Sequence, residues 1–532
     1  MNAMAQNEIA GPLNYNTPYV PLPTTESISC EDAFSTKAFR NIAEIVVSSL
    51  EQYLQNIDPV CGLALTDPAI LTQKARNLMT NASEEIAAFD ESRLRKIIEL
   101  YTTTGIQVHS KGYMGRQFSG VLPLSGVFDL VNSTVNQPSS FYEAAQLPNV
   151  AERIMQEELN KYIGYPEDTF TMVTTSGGSL ANLTALLAAR NYKYPDVWKS
   201  GLHHIRAAGI PAVAISENAH YSIKRAIGIM GIGENQIVKL PVNDKNQIDS
   251  RAVPLILNKA KQQGLHVFCM VASAGTTDTG SFDPLEELGT IARENNIWFH
   301  IDGAHGASLL LSDSHRYKLK GLENADSFIW DAHKMLFTPG TCTLLFYKDK
   351  QRSYGAFRQE ASYVFEQEAD IYTALDSGEK NFECTKRPLI MNLWVSWAMH
   401  GKAVFSQKID RLCHLAAEAY NTLCNENDFE VVHQPQANIL CFRYVPANLD
   451  PEIHHHFQLN IRNRIKEEGR FFISKVELSG QEVLRVVFMN HEIEMKHFRM
   501  LLQEIRRTGQ DIIAIQDGHS AQHKLNTAIN II

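Results

Sequence analysis

The sequence predicts an α/β protein: a large domain with a mostly parallel sheet flanked by helices, a helical N-terminal arm, and a small C-terminal α+β domain. Three observations carry this. Between residues 171 and 347, short β-rich apolar runs alternate with stretches of helical length, the rhythm of strand–helix–strand units. Before residue 105 the apolar spacing is helical. After residue 401, helical stretches are followed by two strands, 471–478 and 482–488, joined by Ser479-Gly480. The expected domains are therefore an arm over 1–105, a large domain over 106–400, and a small domain with a polar tail over 401–532.

The arm reads as follows. Residues 1–28 are rich in Pro, Asn and Thr and predict an extended or disordered lead. Phe39, Ile42, Ile45, Val46 and Leu50 follow amphipathic helical spacing, and Asp90 caps a further helix to about Leu100. Such an arm cannot bury its apolar stripe alone, so it needs the main body or a second copy of the chain; a dimer is expected.

His109–Gly120 is a glycine-rich loop, followed by helices over Leu122–Asn136 and Pro148–Ile163. In Thr171–Asn191 a strand enters the turn Ser176-Gly177-Gly178-Ser179, and a helix follows. Backbone N–H groups and a hydroxyl at a helix N-terminus suit a phosphate, although a capped helix with a glycine turn would read the same way. It is neither a GxGxxG nor a GK[ST] motif. Strands then follow at 212–216, 237–240, 267–272 and 297–301, with helices between them. Residues 348–386 form a long polar segment containing Tyr354 and Tyr363. Helices over 388–401 and 405–425, a strand over 438–444 and a helix over 453–469 complete the pattern, and the tail after Gly518 is expected to be loosely ordered. His454, His455 and His456 occupy adjacent helix positions that point in different directions, so a solvated helix is preferred and no metal site is expected.

Composition excludes several classes. Hydrophobic residues are 44% and charged residues 20%, as in ordinary globular proteins. The formal charge of −10 disfavours a nucleic-acid or anionic-membrane surface. The cysteines at 30, 61, 269, 342, 384, 413, 424 and 441 are scattered, without CxxC pairs, which argues for a reducing compartment. No signal-peptide pattern and no membrane-length apolar run is found, so a cytoplasmic protein is expected.

The chemistry concentrates in 298–346. Ile297–Ile301 delivers Asp302; Ser327–Trp330 delivers Asp331, His333 and Lys334; Cys342–Tyr347 reads as a return strand. Ligands of parallel sheets sit outside the strand carboxyl ends, where His220, Thr276 and Thr277 also fall. A lysine is useful there if it condenses with a carbonyl, and an aspartate if it pairs with a ring nitrogen. Pyridoxal phosphate offers both partners, while a structural salt bridge is the competing reading.

With these pieces in place, the chain resembles the group II pyridoxal-phosphate-dependent amino-acid decarboxylases, the family of the glutamate, cysteine sulfinate, aromatic amino acid and diaminobutyrate enzymes. The resemblance covers about residues 100–490 and rests on TSGGSLAN (175–182), NAHYSIKRA (218–226), GTTDTGSFDP (275–284), HIDGAHG (300–306), DSFIWDAHKM (326–335) and SYVF…LDSGEKNFECTKR (362–387) in that order. It implies fold type I, with the cofactor in the large domain and an obligate homodimer with its site at the subunit interface. It implies that Lys334 holds pyridoxal 5′-phosphate as an aldimine, that Asp302 pairs with the pyridine nitrogen, and that His220 stacks on the ring. Gly177, Gly178, Ser179 and His333 fall at phosphate positions, Thr277 near the cofactor, and Ala304 beneath the ring. Tyr363 matches a loop tyrosine that protonates Cα; a packing tyrosine is its plain alternative.

The substrate implied is an amino acid, and the 109–120 loop bears on which one. Arg116 or Gln117 would hold a distal acid group if it faces the pocket, and Arg485 matches an arginine near the substrate carboxylate. Asp331 stands where relatives often have Asn, and His305 where they often have an aromatic residue. Aldehyde synthesis, transamination and carbon–carbon lyase chemistry remain open on the same fold, as does a catalytically silent dimeric scaffold.

Overall fold

The computed structural model describes residues 35–79, 89–203, 205, 209–357, 375–447, 449 and 456–529, with backbone alone from 516 onward. The chain divides into two compact units, Met1–Tyr113 with Gly469–Phe471, and Met114–Glu468 with Phe472–Ile532.

In the first unit, helices span Thr36–Gln55, Pro68–Asn77 and Glu91–Thr102, and strand β1 (Leu63–Ala64) pairs antiparallel with β2 (Gly105–Ile106). Each helix starts on a side-chain cap. Ser35 accepts from the Ala38 N–H, Asp67 from Ala69 and Ile70, and Asp90 from Arg93. Ile45 is buried, but Val47, Leu50 and Leu54 on the same helix are exposed. The expected lead over residues 1–28 lies outside the described residues.

The second unit holds the main sheet: β3 (Thr171–Thr175), β4 (Ile210–Ser216), β5 (Ile237–Leu240), β6 (Leu265–Ser273), β7 (Trp298–Asp302), β8 (Ser327–Asp331) and β9 (Thr343–Tyr347). Their order is β3-β9-β8-β7-β6-β4-β5. β9 runs antiparallel to both β3 and β8, and the remaining pairs are parallel. The helix-free link from β8 to β9 is too short for a crossover, so the chain can only return antiparallel. Strands β7, β8 and β9 are buried along their whole length, which is why they read as continuous apolar runs.

A second sheet follows, with β10 (Phe429–Val431), β11 (Ile439–Tyr444), β12 (Ser474–Leu478) and β13 (Gln481–Val487) in the order β10-β11-β13-β12, all antiparallel. The helix Ile390–Leu423 is broken at Gly401, whose φ of 65° is left-handed. Two expectations change. The helix placed at 453–469 is seen from Phe457 to Glu468, residues 450–455 lying outside the description. The tail after Gly518 is not loose backbone but continues the helix Met495–Ile529; its Ala, Gln, Lys and Leu residues favour a helix even though no apolar stripe announces one. Among the described residues no helix is long and apolar enough to cross a membrane.

Candidate active site

A cavity of about 630 Å³ opens at the carboxyl ends of β6, β7 and β8. Lys334, Asp302, His220, His333, Thr277 and Ala304 all line it, as do Gly177, Gly178 and Ser179 from the turn after β3. Arg116 and Gln117 come to the same wall from the 109–120 loop, and Arg485 from β13. Tyr363 lies outside the described residues.

Lys334 Nζ is 2.9 Å from Asp331 Oδ2, and His333 Nε2 is 3.7 Å from the same oxygen. Thr343 Oγ1 donates to the other Asp331 oxygen. Burial pushes the Asp331 carboxyl up, but Lys334, His333 and the Thr343 hydroxyl outweigh it and hold it below the ordinary carboxylate range. Ser119 Oγ donates to the Lys334 carbonyl at 2.8 Å, and His333 Nδ1 is 2.9 Å from the Cys342 carbonyl. The turn that carries the lysine is thus tied on both sides.

Asp302 ends β7. It accepts from the Ala304 N–H at 3.2 Å and from Asn182 Nδ2 at 3.1 Å. Behind it runs a buried chain whose direction is fixed by chemistry. The Trp298 indole can only donate, and it donates to Ser327 Oγ at 3.0 Å. The Ser327 hydroxyl then donates to His300 Nδ1 at 2.8 Å, His300 Nε2 donates to Asn182 Oδ1 at 3.0 Å, and the Asn182 amide donates on to Asp302. This requires a neutral His300, and burial indeed lowers its pKa to about 4. Asp302 is left as an acceptor facing the cavity.

His220 caps the helix Tyr221–Ile229: its Nδ1 accepts from the Ser222 N–H at 3.3 Å and lies 2.8 Å from Ser222 Oγ. The capping alternative therefore describes one nitrogen, while the ring still lines the cavity and keeps Nε2 for it. Burial lowers the His220 pKa; Asp302 opposes this and Lys334 adds to it.

The glycine turn fits a phosphate. Gly177 has φ +122° and ψ 160°, a conformation that essentially only glycine adopts, and it opens the helix Gly178–Lys193. A β-carbon on Gly178 would lie 3.1 Å from Asp331 Oδ1. The amine, the carboxylate and the anion cradle in one cavity match the aldehyde, ring nitrogen and phosphate of pyridoxal phosphate.

Of the residues expected to bind substrate, Arg485 donates from Nε to the Asp278 carbonyl at 3.0 Å and from Nη1 to Ser474 Oγ at 2.9 Å. Arg116 is exposed. Gln117 Nε2 is buried with no hydrogen-bond partner among the described residues. Sequence reasoning did not single out Asn182 and Ser119. Asn182 ends the TSGGSLAN run, one helical turn after Gly178 and so on the same face; nothing local marked Ser119.

The pyridoxal-dependent decarboxylase conserved domain, as a family model, matches residues 74–445. The crystal structure of mouse CSAD is similar at a TM-score of 0.81 and 23% identity, over 90% of this chain and 100% of that one. Oryza sativa TDC with PLP and tryptamine gives 0.80 and 20%, over 92% and 100%. Rhodiola rosea 4-hydroxyphenylacetaldehyde synthase gives 0.79 and 18%, over 90% and 99%. At these identities the likeness shows a shared fold.

Proposed function

Because the chain belongs to the pyridoxal-dependent decarboxylases, a family of carboxy-lyases, we propose that it decarboxylates an L-amino acid to the amine and carbon dioxide, with pyridoxal phosphate carried on Lys334. The observation that carries this reading is the convergence of Lys334, Asp302 and the Ser176–Ser179 turn on one cavity. When bound, the cofactor supplies an aldehyde for amine capture and a cationic ring that takes up the electron pair left at Cα.

The chain's own residues do the rest. Asp331 steadies the Lys334 amine at 2.9 Å. Asp302, kept an acceptor by the Trp298–Ser327–His300–Asn182 chain, holds a proton at the ring nitrogen. His220 keeps a proton at Nε2, because Nδ1 is occupied by Ser222. Gly177, Gly178, Ser179 and His333 would hold the phosphate, and Ala304 and Thr277, which line the same cavity, would contribute a small side chain and a hydroxyl to the cofactor's pocket. Tyr363, by its motif, delivers a proton to Cα as general acid. Arg485 orients the substrate's α-carboxylate. Arg116 and Gln117 on the cavity wall, the latter's Nε2 buried without a partner among the described residues, support an acidic side chain, dicarboxylic or sulfinic.

The enzyme acts as a cytoplasmic homodimer with its site at the subunit interface. Val127, Val131 and Val135 form an exposed apolar stripe on the helix Pro123–Val135, which supports a face covered by a second copy. A second reading, aldehyde synthesis, is favoured by the likeness to the Rhodiola synthase and uses the same residues.

The test is to load the protein with pyridoxal phosphate, present a panel of amino acids, and measure carbon dioxide together with the amine or aldehyde formed. Lys334→Ala should abolish turnover and the borohydride-reducible attachment; a fully active variant would refute the assignment.

A further inference from the structure

The position of Asp331 gives its charge a consequence beyond steadying Lys334. One of its oxygens is 2.9 Å from Lys334 Nζ and the other accepts from Thr343 Oγ1. A β-carbon on Gly178 would meet both, at 3.1 and 3.3 Å. The carboxylate therefore lies against the first residue of the helix whose N-terminus forms the anion cradle. That helix end favours a phosphate through its free N–H groups and its dipole. A phosphate seated there meets a second, buried anion at close range, where little water screens the repulsion.

The surroundings offer limited relief. Lys334 and His333 approach from the same turn, Thr343 gives an uncharged hydroxyl from β9, and the Gly178 helix gives its N-terminus. His220, His305 and Cys342 also feel the Asp331 charge, yet burial keeps the two imidazoles and the thiol toward their neutral forms. The full cation in contact is Lys334. An ammonium has three N–H donors; once its nitrogen is bonded to the cofactor's aldehyde carbon, at most one remains, so Asp331 loses donors as the phosphate arrives.

We propose that Asp331 makes cofactor loading take up one proton, which is then held between the Asp331 carboxyl and a phosphate oxygen. The proton comes from solvent; the condensation of the Lys334 amine with the aldehyde, which releases one water, is common to the wild type and the variants. An asparagine at this position would instead donate its amide to the phosphate and need none. The inference rests on the assignment of Lys334 and the glycine turn made above.

The experiment titrates pyridoxal phosphate into stripped, full-length protein at several pH values between 7 and 9 and reads the visible absorbance of the bound cofactor. Free phosphate monoesters lose their second proton near pH 6, so over this range the ligand arrives as a dianion. One proton of linkage is a factor of ten in Kd per pH unit. The ratio of wild-type to Asp331→Asn Kd should therefore rise about a hundredfold from pH 7 to pH 9. Asp331→Ser, which also removes the charge, should behave like Asp331→Asn, and circular dichroism checks that both variants fold. A ratio independent of pH overturns the proposal, as does a wild-type Kd that stays flat or falls over this range. Wild-type protein that captures no cofactor at any pH would instead overturn the assignment of Lys334, which separates the two failures.

Discussion

Asn182 offers a direct test of how the site holds Asp302. Its amide donates to Asp302 at 3.1 Å and to Ser222 Oγ at 3.0 Å, while its oxygen accepts from His300. Asn182→Ala removes a hydrogen bond to a charged acceptor, worth about 1.5–3 kcal/mol. It also leaves the buried His300 Nε2–H without its acceptor, a desolvation cost of about 1–3 kcal/mol. The first loss falls on the function, because Asp302 is then free to rotate. At about 1.4 kcal/mol per factor of ten, kcat/KM should drop roughly ten- to hundredfold. The second loss falls on stability and should lower the melting temperature. Steady-state carbon dioxide release, the absorbance of bound cofactor and a melting curve separate the two. His300→Gln retains a donor near the Nε2 position and should keep more activity than His300→Leu. An Asn182→Ala protein that melts like the wild type and turns over within twofold of it would refute the idea that the chain from Trp298 disciplines Asp302.

Three further outcomes are expected. Lys386 is fully buried 3.1 Å from Glu152, which also accepts from Thr174 Oγ1 at 2.7 Å; Lys386→Met should cost about 3–5 kcal/mol by urea unfolding, and adding Glu152→Gln should recover part of it. Burial lowers the pKa of His300 to about 4 and of His305 to about 3, so between these values and 6.5 the unfolded chain binds the extra protons and stability rises with pH. Asp283, raised by burial to about 6, and Asp278, also raised by burial, oppose this, but burial lowers His220, His266, His315 and His433 as well, so the histidines outnumber the two carboxyls. Melting temperature should therefore climb from pH 4 to about 6.5 and flatten above, and His300→Asn should reduce the slope. Finally, Tyr363→Phe should shift products from amine toward aldehyde, read by assaying both; an unchanged ratio would remove this tyrosine from the protonation step.

Much of the architecture was legible because it is written in local pattern. The period and length of the runs between residues 171 and 347 named the strands, and the short link after Lys334 required β9 to return antiparallel. Asp90 read as a helix cap and is one. The His-Lys pair, the glycine turn and Asp302 stood out by residue type and position, and they do line one cavity; the order of six motifs implied the family. Other features were invisible for a physical reason: they are contacts between residues far apart in sequence. The line from Trp298 through Ser327 and His300 to Asn182 joins strands to a helix more than a hundred positions away. The register of the 109–120 loop had no local signal, and only packing brought both Arg116 and Gln117 to the cavity wall. Nor could Asp331 be read as more than an unusual residue until folding set it between Lys334 and Gly178. What the chain determined by itself was which groups are present and on which elements; the tertiary structure decided which of them meet, because distances and burial arise only when the sheet is assembled.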